Sequence, residues 1–373
     1  MFPFFDVYNS CFPGKRQRDD SFASFSLRQA GRYMADFRKY SDKYPFRMRS
    51  ETPDIAIELS MQPWRSFGVD GVIMFSDILT PLPAMGVEFD VVKGKGPVIA
   101  KPIRTTADVA AVTPIGDIGA RLPFVGETLR ALRAETSGKS TLLGFVGAPW
   151  TLAAYAMEGG ASKLCLNTKS MMMGEPALFR QLMDTLADNI GEYMCYQADN
   201  GAQMIQVFES WAHQLTPYQF EAFARPYADR AMATFKARHP DVPVVYFANG
   251  GSGYLEQQRG MAADVVALDQ FCDMATARRR LGKDVLVSGN VDPLLLLGPE
   301  EGIGSAVRDC IAAAGGHGLV LNLGHGVLQQ TPERAVAAFV ETCKSVRLDG
   351  SDGSGAAAAG QQQSPVAAAA GAR

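Results

Sequence analysis

Cysteine never comes in close pairs in this chain. The six (Cys11, Cys165, Cys195, Cys272, Cys310 and Cys343) show no C-x-x-C and no short spacing. That excludes a disulfide framework and a cysteine zinc knuckle, and it predicts a reduced, intracellular protein. Long apolar runs are missing too: none approaches the roughly 20 residues that span a bilayer, so a soluble protein with no membrane partner is expected. An excess of one charge is also absent. The formal net charge of −3 is too small to gather nucleic acid or an anionic membrane. An anionic ligand must therefore be held by local arginines. The first twenty residues, "MFPFFDVYNSCFPGKRQRDD", start apolar but carry acids and no small-residue cleavage pattern. They form neither a convincing signal peptide nor a convincing transit peptide.

What is present suits a compact globular protein. Hydrophobic residues make up 47% and charged residues 20%, which excludes wholesale disorder and leaves ample material for a core. Three segments are expected: an atypical leader over 1–21, an ordered domain over 22–348, and a low-complexity, disordered tail over 349–373, where Ala, Gly, Gln and Ser leave almost nothing to bury. Within the ordered part, eight short apolar runs stand at intervals that leave room for a helix after each. They are "ASFSL" (23–27), "DGVIMF" (70–75), "TLLGFVG" (141–147), "MIQVF" (204–208), "VPVVYFA" (242–248), "DVVALD" (264–269), "DVLVSG" (284–289) and "GLVLNLG" (318–324). Their near-continuous apolarity suits parallel strands covered on both faces. Helical patterns lie between them, as in "PDIAIELSMQPWRSF", which begins on Pro53, and in stretches over 175–197 and 332–346. The predicted fold is a single α/β domain, a (β/α)₈ TIM-type barrel. A doubly wound open sheet shares the alternation. Eight runs, with no Gly-rich nucleotide fingerprint after the first, favour the barrel.

In such a barrel the C-terminal strand ends build the active site. The residues after each run are accordingly polar: Arg28 and Arg32, Asp77, Tyr155, then Glu209, Ser210 and His213, then Asn249, Asp269, Asn290 with Asp292, and His325. Each has an ordinary structural alternative. Asp77 could cap a helix, although "SDILTPLP" runs into two prolines. His325 lies between two glycines and could be a turn residue. Tyr155 could be core, and Ser210 a cap. Arg28 and Arg32 could make surface ion pairs with acids such as Asp36, which contribute little, or could aim two forks at one carboxylate ligand. Spacing alone does not choose.

Six motifs in order do. "LRQAGRYM" (27–34), "FSDILTPLPAMG" (75–86), "KGKGP" (93–97), "GFVGAPWTLAAYAMEGG" (144–160), "GNVDP" (289–293) and "NLGHGV" (322–327) together resemble the uroporphyrinogen decarboxylase family of haem and chlorophyll biosynthesis, from about Leu27 to Val346. The resemblance implies a (β/α)₈ barrel, a homodimer with facing clefts, and a cofactor- and metal-independent carboxy-lyase. It implies an enzyme that removes the four acetate carboxyls of uroporphyrinogen III as CO₂ to give coproporphyrinogen III. By match of motif, Arg28, Gln29, Ala30, Gly31 and Arg32 would line the substrate cleft, and Asp77 would be the central catalytic carboxylate. Tyr155, Ser210 and His325 would contact substrate.

The chemistry of these residues agrees with those roles. The substrate carries eight carboxylates around four pyrrole N–H donors, so guanidinium groups suit the rim and a carboxylate the centre. Loss of CO₂ leaves electrons that need a sink, which protonation of the neighbouring pyrrole carbon creates, and a fixed carboxylate stabilises the resulting cation. A guanidinium releases protons reluctantly. Arg32 or Arg28 is therefore expected to orient the reacting acetate, and either to deliver the proton or to hold a water that does. One departure is that Glu209 stands where the family more often has Asp.

Two other readings compete. A zinc-dependent methyltransferase of the same fold would bind its metal through a His-x-Cys pair and a later Cys, and none of the four histidines has Cys two residues on. A non-catalytic tetrapyrrole carrier would need the arginines but not Asp77. Bacterial relatives of the family are cytoplasmic and plant and algal ones plastidial, so the cytoplasm or the plastid stroma is expected.

Overall fold

The computed structural model describes residues 31–92 and 94–346 of the chain. The leader over 1–21, the first apolar run over 23–27 and the tail over 349–373 lie outside the described residues.

The other seven runs each form a strand, and all seven join one parallel sheet. In sheet order they are β1 (Gly71–Ile73), β4 (Thr141–Gly147), β5 (Met204–Glu209), β6 (Val244–Ala248), β7 (Val265–Ala267), β8 (Leu286–Val291) and β9 (Leu319–Leu323). Neighbours in space are therefore neighbours among these strands in sequence, as in a chain of right-handed βαβ units. A separate antiparallel hairpin pairs β2 (Phe89–Val92) with β3 (Gly96–Ile99). Gly94, between its strands, and Gly96, at the start of the second, are both at positive φ, a conformation open to glycine at no steric cost.

The period-two alternation of each strand explains why the runs read as continuously apolar. On β4, Leu142 and Val146 face the helices whereas Leu143 joins the opposite face. That face collects Leu143, Met204, Val245, Val265 and Ala267, with Ile73, Leu286 and Val320 packed against them, which is one interior layer drawn from all seven strands. Helices cover the outer face. Those at Pro123–Thr136, Pro149–Glu158, Pro176–Asp199 and Arg225–Arg238 pack over β4 to β6. Those at Met274–Leu281, Glu300–Ala313 and Glu333–Ser345 pack over β7 to β9.

The helix at Pro53–Phe67 starts on the predicted proline and stops at Gly68, whose φ of 60° no β-carbon residue adopts cheaply. Its side chains Ile55 and Leu59 share a core with Val336 and Phe339 of the helix after β9. Lys344 Nζ donates to Gly68 O, and Ala35 N to Glu333 Oε1 at 2.8 Å. The two ends of the sheet are thus drawn toward each other by the elements flanking them. What the described residues form is a curled seven-stranded parallel half-barrel.

Candidate active site

A cavity of about 240 Å³ opens at the C-terminal ends of the strands. Its floor is aromatic: Phe75 just after β1, Phe145 of β4, Phe208 of β5 and Phe247 of β6 all line it. Phe145 meets Phe208 edge to face at 5.8 Å between ring centroids, and Phe208 meets Phe247 in the same way at 6.0 Å, the geometry aromatic quadrupoles prefer. These rings lie directly above the interior layer. Arg32, Ser76, Asp77, Ser210 and His325 stand around the same cavity, so an aromatic bed is edged by polar groups.

Asp77 leaves β1 in a tight turn. Leu79 N donates to its Oδ1 at 2.8 Å, and Thr80 bonds its carbonyl through both N (3.1 Å) and Oγ1 (2.7 Å). Asp77 therefore caps a turn rather than a helix: its Oδ1 satisfies the backbone of that turn while the residue also lines the cavity. Burial pushes the Asp77 carboxyl up to about 6, against the Leu79 N–H bond and the Arg32 charge, which both pull it down. Its surface is half-buried, because it reaches the cavity.

Arg32 is exposed beside this cavity in the turn that opens the described chain. Arg38 Nη1 clamps the turn by donating to Arg32 O at 2.9 Å and Tyr33 O at 2.7 Å, and Met34 N donates to Gly31 O at 2.7 Å. Gly31 itself is buried and is not part of the cavity wall. A β-carbon there would lie 2.7 Å from Phe37 Cδ2, so its bareness is taken up by a packed phenylalanine. Arg28, Gln29 and Ala30 fall outside the described residues.

His325 accepts from Gly326 N at Nδ1, 2.8 Å away, which places the proton of its neutral ring on Nε2. Ser210 follows β5, and its carbonyl accepts from Asn249 Nδ2 at 3.1 Å. Tyr155, on the helix Pro149–Glu158, is half-buried, does not line the cavity, and meets the Trp211 ring edge to face at 5.5 Å. Burial, and then the Asp77 charge, push its hydroxyl up to about 12. His213 is exposed, its ring tilted on Trp211 at 5.6 Å. Among the described residues no group of three or more His, Cys, Asp or Glu is disposed to hold a metal ion, and none of their helices is long and apolar enough to cross a membrane.

Sequence reasoning missed the aromatic floor. A phenylalanine near the end of each of four successive runs was the available signal, but it reads as ordinary core until the strands are set side by side.

Comparison with known proteins accounts for this arrangement. The sequence profile of the family described as "Uroporphyrinogen decarboxylase (URO-D)" matches residues 15–346. A protein of a Picosynechococcus strain named uroporphyrinogen decarboxylase is 52% identical over 322 residues, 86% of this chain and 92% of its own length. A rice protein named uroporphyrinogen decarboxylase 1, chloroplastic, is 47% identical over 327 residues, 87% of this chain and 81% of its own. Among solved structures, a methyltransferase from Methanosarcina mazei superposes with a TM-score of 0.74 at 16% identity, covering 92% of this chain and 98% of the other. At that identity the likeness speaks for the fold alone.

Proposed function

The chain belongs to the uroporphyrinogen decarboxylase family, and from that premise we infer that it removes the four acetate carboxyls of uroporphyrinogen III as CO₂, yielding coproporphyrinogen III for haem and chlorophyll synthesis. The single observation that carries the assignment of roles is the cavity in which Asp77, Arg32, Ser210 and His325 edge an aromatic bed. A tetrapyrrole has an apolar face and an anionic edge, and this cavity is its complement.

The proposed mechanism follows from the residues. The second Asp77 oxygen accepts pyrrole N–H bonds at the centre of the macrocycle. Those donors favour the charged carboxylate, so substrate binding pulls down the pKa that burial has raised. Protonation of the ring carbon next to the one bearing the acetate side chain makes a cation, which the Asp77 charge stabilises at short range in a site of low dielectric. The bond from methylene to carboxyl then breaks, its electron pair flows into the ring, CO₂ leaves, and a second proton on the methylene carbon completes the methyl group as the ring gives up the first. Arg32 or Arg28 orients the reacting acetate and either delivers the proton itself or holds a water that does, while Gln29 and Ala30 line the cleft. His325 Nε2–H, Ser210 and Tyr155 contact the substrate from the other side.

We further propose that residues 23–27 complete a (β/α)₈ barrel between β9 and β1, within a catalytic unit over 22–348. The bonds that draw the sheet ends together support this, and protection of the 23–27 amides from hydrogen exchange would test it. A homodimer with facing clefts is supported by Tyr218, Phe271 and Leu294, exposed by 74%, 78% and 58% on segments leaving the C-terminal ends of β5, β7 and β8. A monomer mass in light scattering would overturn it. The cyanobacterial and rice chloroplastic relatives support a plastid stroma or cytoplasmic setting.

The test of the activity is anaerobic incubation with uroporphyrinogen III, without added cofactor, following products of eight to four carboxyls by chromatography beside Asp77→Asn. Stepwise products from the parent alone are expected. Tight binding with no turnover in the parent would favour a carrier.

A further inference from the structure

We propose that Glu209, which the mechanism above does not use, is a positioning residue whose side chain locks the helix carrying Tyr155 to the segment carrying Ser210 behind the cavity. This rests on the decarboxylase reading.

Glu209 ends β5 and is fully buried. Its Oε1 accepts from Thr151 N at 2.9 Å and from Thr151 Oγ1 at 2.5 Å. The same Thr151 Oγ1 accepts from Trp211 N at 3.3 Å, and Trp150 Nε1 donates to Trp211 O at 3.1 Å. The first turn of the helix Pro149–Glu158 therefore grips the chain on both sides of Ser210. Tyr155 lies four residues after Thr151, on the same helix face, and its ring meets Trp211. Through Thr151, one carboxyl group sets where Tyr155 and Ser210 stand relative to each other.

Burial disfavours the charged form of the group. Burial pushes the Glu209 carboxyl up to about 8, opposed by hydrogen bonds from Thr151 and by the Tyr246 hydroxyl, with no cation among the influences on it. Tyr246 faces it from β6 without a bond of full geometry: Glu209 Oε2, the Tyr246 hydroxyl and the Tyr254 hydroxyl are all buried and lack a hydrogen-bond partner. Both tyrosines are held far above their ordinary range by burial and by the Glu209 carboxyl, with Asp229 acting on Tyr246 and Asp269 on Tyr254. They stay neutral, so an ionised Glu209 would have only their dipoles and the Thr151 donors to face. Ionisation costs more in such a site than in water; Thr151 holds Oε1 in either state, so the strain falls on Oε2 and on the Tyr246 and Tyr254 hydroxyls.

The experiment measures kcat and KM for uroporphyrinogen III from pH 6 to 9 in the parent, Glu209→Gln and Glu209→Asp, with near-ultraviolet circular dichroism to report the fold. Glu209→Gln keeps the length and one acceptor. It should stay within about threefold of the parent kcat at pH 7 and lack the fall that the parent shows as pH passes 8. Glu209→Asp is one methylene short. It should keep its fold and nearly its KM but lose about tenfold or more in kcat, because the anchor no longer reaches. Parental kcat in a folded Glu209→Asp, or the same alkaline fall in parent and Glu209→Gln, overturns the inference alone. If Glu209→Asp does not fold, the pH comparison of the other two decides. A parent without turnover overturns the decarboxylase reading and this inference with it.

Discussion

At the N-terminal ends of β6 and β7, Lys236 Nζ lies 3.0 Å from Asp264 Oδ2 and also donates to Pro240 O at 2.7 Å and Val242 O at 3.2 Å, while Asp264 Oδ2 accepts from Val244 N at 2.8 Å. At the C-terminal end of β1, Asp77 has one oxygen on Leu79 N, and its ionisation is opposed by burial that the Arg32 charge only partly offsets. These are two ends of one sheet. At the first, the opposite charges are matched within the protein, so they stabilise the fold and have little left to offer a ligand. At the second, a carboxylate is held in place without full compensation, and incoming N–H donors would complete it while Arg32 meets a ligand's carboxylate. The proposed site lies at the end where the protein leaves its electrostatics unfinished.

Five substitutions or titrations break or sharpen that contrast. Asp77→Asn should lower turnover by about a thousandfold, the scale of losing one preorganised catalytic group, with a melting temperature at pH 7 no lower than the parent's. A large drop in melting temperature would make Asp77 a structural group like Asp264. Lys236→Met leaves the half-buried Asp264 without its cation and should lower the unfolding free energy by about 2 kcal/mol, read from urea titration, with turnover per folded molecule unchanged. Arg32→Lys keeps the charge and loses the fork. About a tenfold fall in kcat/KM is expected, and a parental value would show that charge alone suffices.

The pH dependence has a definite sign. Asp77 is raised in the folded protein from 3.8 to about 6, so folding takes up a proton between those values. Its contribution to stability becomes less favourable as pH rises through that window and is constant above it. The working form is the carboxylate, so kcat/KM should fall as pH drops through 6. The acid limb of kcat should lie lower, because bound substrate favours the charge. Glu209, raised to about 8, leaves catalysis intact across this range. The smallest effect belongs to Arg230, which bridges Asp184 at 2.8 Å and Asp188 at 2.6 Å on an exposed helix face. Arg230→Ala should change the urea midpoint by less than about 1 kcal/mol equivalent and leave turnover alone.

Legibility followed burial. Seven strands were readable because both of their faces are covered, which forces runs such as "TLLGFVG" to be apolar throughout. The β2–β3 hairpin was not readable: its strands are short and mostly part-exposed, so "FDVV" and "GPVI" carry no clear pattern, and its turn stood out only as a motif. In the site, Asp77, Ser210 and His325 were legible as polar residues just past apolar runs. Gly31 was legible as a bare position, but the ring that fills the space, Phe37, is an apolar residue like any other until the helix after it folds back. Thr151 gave no signal, because its partner Glu209 is 58 residues away.

By itself, then, the sequence determined the alternation of buried strands and covering helices, the family to which the motifs belong, and which side chains were available for chemistry. These are properties of local pattern and side-chain identity. Only the tertiary structure decided that Arg32, Asp77, Ser210 and His325 share one cavity over an aromatic bed, that one carboxyl is poised near 6 and another near 8, and that Gly31 packs against a ring. Ionisation and contact depend on the atoms that surround a group, and those atoms come from segments far apart in the chain.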